Sequence, residues 1–198
     1  KFEFFQRIRK HKIPSIFLPF LTTFVRIISG KHKGKIIVAP KNLPVRPTTD
    51  MAKEALFNIL ENRYFLDSKK VLDLFSGTGN IAFEFASRGC EDITAIDQNS
   101  HCYDFISKIA EELNYNILVK RMDCLDFLQK TKQDFDIIFA DPPYHFEHYH
   151  QMKDNILSNN LVRKDGCLII EHDSSTNFDK ENVELRKYGS VHFSIFAN

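Results

Sequence analysis

The stretch KVLDLFSGTGN, Lys70 to Asn80, decides how the chain is read. Four of its first six residues are apolar, as in a buried strand. Ser76-Gly77-Thr78-Gly79 then breaks the run, and NIAFEFASR (80–88) follows as a helix closed by Gly89. Glycines at such a junction permit a tight turn and let a ligand approach the backbone where the helix begins. As Gly77-x-Gly79-x-x-Ala82 the loop also fits a loose dinucleotide fingerprint, a weak signal alone.

Working toward the C-terminus, the same unit repeats. DITAID (92–97), NILVKRMD (116–123), FDIIFAD (135–141) and GCLIIEH (166–172) read as strands. HCYDFISKIAEEL (101–113), CLDFLQK (124–130) and residues 147–157 read as helices. Alternation with near-continuous apolar strands predicts an α/β fold, a mostly parallel seven-stranded sheet covered on both faces. VELRKYG and VHFSIFA, joined at Gly189-Ser190, predict an antiparallel C-terminal edge. Toward the N-terminus, Thr48, Thr49 and Asp50 offer caps to a helix over 51–61. Its expected buried stripe is Ala52, Ala55, Leu56, Ile59 and Leu60. Before it, RIIS and KIIV flank GKHKG, a hairpin with a basic tip. The expected organisation is an N-terminal extension (1–24), a basic hairpin and loop (25–49), and one α/β domain (50–198).

Composition sets the bounds. The 198 residues suffice for one domain with a full core, and 43% hydrophobic with 27% charged residues is ordinary for a globular chain. The four cysteines are scattered with no Cys-x-x-Cys, which argues against a disulfide framework and for a reducing compartment. The net charge of +1 hides an asymmetry: residues 1–49 hold eleven Lys/Arg and one acid, so the body is acidic and the arm basic. A basic arm suggests a polyanionic partner. KFEFFQRIRKHK followed by IPSIFLPFLTTFV superficially resembles a secretory signal. Its prolines, its length and the lack of a small-residue cleavage site argue against one, and no other stretch is apolar enough to cross a membrane.

Four acids fall at successive strand ends: Asp73, Asp97, Asp123 and Asp141. Asp97 lies eighteen residues past Gly79, where a carboxylate can take two ribose hydroxyls. Asp73 would repel a pyrophosphate but suits an ammonium group. Asp123, with Cys124, can accept from an adenine amine. S-Adenosylmethionine is the ligand that fits. Asp141-Pro142-Pro143-Tyr144 then acquires a purpose. An exocyclic base amine is a poor nucleophile because its lone pair is delocalised into the ring. Asp141 and the Pro142 carbonyl can both accept from such an NH₂ group, freeing the lone pair for in-line attack, while Tyr144 stacks on the base. His145, His148 and His150 fit no ordinary zinc pattern, and no metal is expected. Phe75, Phe83, Phe85 and Phe105 read as core.

DLFSGTGN, the strand-end acids and DPPY resemble the amino-methylating, S-adenosylmethionine-dependent methyltransferases of Rossmann-like class I fold. RIISGKHKGKIIVAP, RPTTDMAKEALFNIL and LRKYGSVHFSIF narrow the resemblance to the RsmD family, which methylates a guanine exocyclic amine in 16S rRNA. The likeness runs from about Val25 to Phe196. It implies that Arg46, Pro47 and Thr48 close over the methionine end of the donor, with Asp73, Ser76, Gly77 and Gly79 beneath. It places Asp97 on the ribose, Asp123 and Cys124 on the adenine, and Asp141 to Tyr144 on a flipped guanine. Lys31, Lys33, Lys35 and Lys41, with Arg46, would grip phosphates of 16S rRNA or of an assembling small subunit. The implied enzyme is a cytoplasmic monomer. One departure is Lys53-Glu54, where the family pattern has Arg-Glu. Residues 1–24 read as upstream read-through or a lineage-specific tail, Val25 standing where an initiator would. DPPY alone is shared with DNA-adenine methylases. Methyl transfer to DNA adenine or protein glutamine, a dehydrogenase, and a non-catalytic nucleotide-binding protein therefore stay open as alternatives.

Overall fold

The computed structural model describes residues 24–40, 43, 48–143, 145–178 and 183–198. A hairpin of β1 (Phe24–Arg26) and β2 (Ile36–Val38) precedes α1 (Asp50–Glu61). The body then runs β3 (Lys70–Leu74), α2 (Asn80–Ser87), β4 (Asp92–Asp97), α3 (Ser100–Leu113), β5 (Ile117–Arg121) and α4 (Cys124–Lys130). It closes with β6 (Phe135–Ala140), α5 (Tyr149–Ser158), β7 (Val162–His172), β8 (Glu184–Tyr188) and β9 (Val191–Ala197). The main sheet has seven strands in the order β5-β4-β3-β6-β7-β9-β8. Five are parallel, while β9 runs antiparallel to both β7 and β8, as the sequence predicts.

The order reverses between β3 and β6. Successive strands step one way to β5, then the chain returns to β3's other side. Crossovers on either side of that point leave a crevice at the strands' carboxyl ends. The strands are apolar on both faces because both are covered. One face packs Val71, Ile137, Phe139 and Ile169 against α1 and α2. The other packs Leu72, Leu74, Ile138 and Leu168 against α4 and α5.

Helix ends follow local chemistry. The Thr49 side chain caps α1 by accepting from the Ala52 N–H (3.3 Å), leaving Thr48 for other work. Asn99 caps α3 through the His101 N–H (2.8 Å), and Asp123 caps α4 through Leu125 and Asp126. Helix α5 starts at Tyr149, two residues later than predicted, because the Phe146 N–H first closes a turn onto the Pro143 carbonyl (2.8 Å).

The buried stripe of α1 is rotated from its expected position. Ala52, Lys53, Leu56, Phe57 and Leu60 face inward, while Ala55 and Ile59 are only partly covered. The reason is Lys53, a fully buried lysine. Its Nζ donates to the Arg26 carbonyl (2.6 Å) and Asn80 Oδ1 (2.7 Å) and pairs with Glu84 (3.4 Å). Glu84, equally buried on α2, also accepts from the Ile28 and Ser29 N–H groups and from Arg88 Nε, at 2.8–3.0 Å. The hairpin is thus fastened to the body by charge as well as by Val25, Ile27 and Ile37, which pack on α3. Gly30 lies so close to the Ser87 carbonyl that any side chain there would collide with it.

Candidate active site

At the carboxyl rim the β3–α2 turn is held by its own backbone. The Gly79 N–H donates to the Ser76 carbonyl (2.7 Å) and the Ser76 N–H to the Ile96 carbonyl (3.0 Å). Gly77 and Gly79 adopt left-handed conformations, φ 54° and 72°. Phe75 does so too, at φ 60°. A bulky residue there is strained by about 1–2 kcal/mol, so the turn is imposed by its surroundings. Phe75 is partly buried, packed against the edge of the core rather than within it. It lines a cavity and meets Phe146 edge-on at 5.1 Å, whereas Phe83, Phe85 and Phe105 are buried as expected.

That cavity, about 700 Å³, opens along the rim. It receives Thr48, Asp73, Ser76, Gly77, Asp97, Asp123, Cys124, Asp141, Pro142 and Pro143 of the expected site residues. Gly79 sits just outside as the first residue before α2, where a Cβ would press on the Phe83 ring. Arg46, Pro47, Lys41 and Tyr144 lie outside the described residues.

The acids are not all strand caps. Asp73 is inside β3, buried, and accepts from the Ala82 N–H (3.2 Å) in the first turn of α2. Burial pushes its carboxyl up to about 8, against that hydrogen bond. Asp97 ends β4 and accepts from the Gly77 and Asn99 N–H groups, each at 2.8 Å. Burial raises it despite both bonds. Asp123 lies two residues past β5 and spends one oxygen on the α4 cap. Asp141 follows β6, its N–H on the Leu74 carbonyl. Burial, then Glu171, then Asp73 hold its carboxyl well above the usual range. No described side chain donates to it. The Pro143 carbonyl is taken by Phe146, but no described N–H takes that of Pro142.

Glu171 is the member that sequence reasoning missed. It is the next-to-last residue of β7, buried beside Asp141, and accepts from Thr48 Oγ1 (2.8 Å). Burial raises it to about 7. The available signal was an acid inside GCLIIEH, placed as Asp73 is inside KVLDLF. In spatial order the rim therefore reads Asp123, Asp97, Asp73, Asp141, Glu171. Among the described residues no lysine or arginine pairs with any of the five. Carboxylates without described cations beside a glycine turn, with Asp73 and Glu171 buried and Asp97 and Asp141 half-buried, fit a ligand that brings its own ammonium and hydroxyl donors. Among the described residues no group of three or more His, Cys, Asp or Glu is arranged to hold a metal.

Lys31, Lys33 and Lys35 are exposed at the hairpin tip. The tip is fixed by the Lys31 N–H to the Ser87 carbonyl (2.7 Å) and by His32 to the Tyr115 hydroxyl (2.7 Å). Ser87 ends α2, whereas the cavity opens at its start. Eight residues of helix, about 12 Å, separate the lysines from the rim.

The family model "Conserved hypothetical protein 95" matches residues 25–197. The ribosomal RNA small subunit methyltransferase D of Buchnera aphidicola (subsp. Baizongia pistaciae) is 31% identical over 183 residues, 89% of this chain and 93% of that one. This chain belongs to the RsmD family. Among solved structures, a hypothetical protein of Thermus thermophilus superposes with a TM-score of 0.77 at 24% identity, over 86% of this chain and 98% of its own. The T. thermophilus 16S rRNA N2 G1207 methyltransferase RsmC, solved with AdoMet and guanosine, gives 0.70 at 18% identity, over 94% of this chain and 53% of its own. At those identities the two structures speak for the fold, a class I methyltransferase sheet.

Proposed function

We propose that this chain transfers a methyl group from S-adenosylmethionine to the N2 amine of a guanine in small-subunit (16S) rRNA. Methylation of ribosomal RNA with this donor is what membership of the RsmD family carries. The guanine amine is the finer reading, and the row of carboxylates without described cations that includes Asp141, beside Pro142, is the observation that supports it most.

When bound, S-adenosylmethionine supplies an electrophilic methyl group on a sulfonium. Asp73, with Ser76 and Gly77, would hold its ammonium; the carboxyl poised near 8 ionises once a cation arrives. Asp97 would take the ribose hydroxyls, Asp123 and Cys124 the adenine, and Arg46, Pro47 and Thr48 would close over the methionine end. Asp141 and the Pro142 carbonyl accept the two amine hydrogens and draw the nitrogen toward tetrahedral geometry, with Tyr144 stacked on the base. As the bond to the nitrogen forms, Asp141 would take one amine proton and pass it to water. The amine becomes acidic only as that bond forms, so a carboxylate suffices. Lys31, Lys33 and Lys35 serve an RNA that extends at least a helix length from the target base. Such a substrate places the enzyme where ribosomes assemble, in the cytoplasm.

The test is mass spectrometry of nucleosides after incubating small-subunit rRNA, free and partly assembled, with labelled donor. Labelled N2-methylguanosine is expected. Labelled N6-methyladenosine instead, or no labelled nucleoside from either substrate, would overturn the proposal.

A further inference from the structure

Glu171 has a second use beyond its bond to Thr48. Strands β6 and β7 are paired in parallel up to Ala140 with Ile170. The next residue of each is Asp141 and Glu171, so the two side chains leave the same face from backbones one strand spacing, about 4.8 Å, apart. Both line the cavity. Glu171 is only 8% exposed. From the described residues it accepts one hydrogen bond, on one oxygen, and none of them donates to the other. Two neighbouring acceptors with no donor among the described residues between them call for a ligand edge that presents neighbouring donors.

Purines differ in that respect. Guanine presents N1–H beside its N2 amine. Adenine presents a bare N1 acceptor beside its amine, which two carboxylates would repel. Asp141 and the Pro142 carbonyl already account for both amine hydrogens, so N1–H is the donor left over. We infer that Glu171 accepts the N1–H of the target guanine beside Asp141 and thereby selects guanine over purines that lack this hydrogen. This rests on the guanine-amine reading above. A donor placed between the pair also relieves the crowding of two buried carboxyls, both of which burial holds above their usual range.

2-Aminopurine probes the contact: it keeps the N2 amine and replaces N1–H by an acceptor, and because it also lacks O6, comparison with a Glu171 variant separates out the part due to Glu171. The probe is a small-subunit rRNA fragment spanning the methylated nucleotide, made with guanosine or 2-aminopurine at that position. Wild-type protein is expected to favour guanosine by at least about tenfold in kcat/KM, because a polar group left facing a like group is rejected. Glu171→Gln keeps the shape and the acceptor for Thr48 while removing the charge. It should pull the ratio toward one and leave the KM for S-adenosylmethionine little changed. A wild-type ratio near one, or an unchanged ratio in E171Q, overturns the inference. So does a ratio held in E171Q alongside a raised donor KM, the mark of a residue that only positions Thr48. If E171Q turns over neither RNA, the ratio is read from binding of the two fragments in the presence of S-adenosylhomocysteine. There a ratio that falls toward one supports the inference, and a ratio equal to that of the wild type overturns it. Wild-type protein that labels no guanosine at all would instead sink the proposed function, a distinguishable failure.

Discussion

Helix α2 has a nest of buried charge at each end, and the two are built on opposite terms. Beneath the hairpin, Glu84 is met by both Lys53 and Arg88, Lys53 also donates to the Arg26 carbonyl and Asn80, and Arg88 reaches Glu61 at 2.7 Å. At the other end Asp73, Asp141 and Glu171 share a cavity with no cation from the described chain. Burying a charge costs several kcal/mol unless it is paired. The first nest offsets that cost internally and so serves the fold. The second leaves it standing, which makes sense only where a ligand will supply the missing donors. Compensation, rather than burial or charge by itself, separates the structural nest from the functional one.

The difference can be broken from either side. The largest effect falls on catalysis: Asp141→Ala should lower kcat by at least about 10²–10³ while the calorimetric affinity for S-adenosylmethionine stays nearly constant. Parallel loss of both would place Asp141 in the donor's seat and undo the division of the rim. Next comes the structural nest. Lys53→Ala removes one of the two cations on Glu84 and the donor to the Arg26 carbonyl and Asn80, and should cost about 3–5 kcal/mol in chemical denaturation, against little change in donor affinity per folded molecule. A loss below about 1 kcal/mol would mean that water already shares the site.

The functional nest should respond to substitution in the opposite sense. Asp73 ionises near 8 in the fold and near 4 in the unfolded chain, so the native state holds the extra proton. Its contribution to stability therefore falls as pH rises from about 4 to 8. Asp73→Asn should stabilise the ligand-free protein by about 1–3 kcal/mol at pH 8 and by less at pH 5, while weakening donor binding. Thermal melts at the two pH values check the sign. Destabilisation at pH 8 would show that the carboxylate has a partner after all. The smallest effect belongs to the hairpin tip. Changing Lys31, Lys33 and Lys35 to Gln should reduce the salt dependence of RNA binding by about 2 units of log–log slope at most. An unaltered slope would remove the tip from the interface.

Much of this arrangement was legible beforehand. Parallel strands covered on both faces leave long apolar runs, so KVLDLF and FDIIFAD announced themselves, and acids following such runs marked the rim. Lys53 was hidden for a physical reason. A lysine on an amphipathic helix normally belongs to the wet face, and its partner Glu84 lies 31 residues away on another helix. Periodicity records which residues are apolar, so it turned the α1 stripe toward Ala55 and Ile59. Glu171 was hidden similarly, as one acid in a run read for its apolar neighbours. Phe75 packs on the edge of the core and also lines the cavity, and the left-handed backbone that puts it there leaves no mark in composition.

The way Glu84 holds the amides of Ile28 and Ser29 has a bearing on any effort to exchange parts among relatives. The N-terminal arm is not a detachable module with a neutral seam. Its attachment point is a carboxylate on one of the body's own helices, counterbalanced from a third segment. A chimaera that imports another arm must set its backbone amides at positions 28 and 29 on Glu84, or that carboxylate loses two of its donors at the joint.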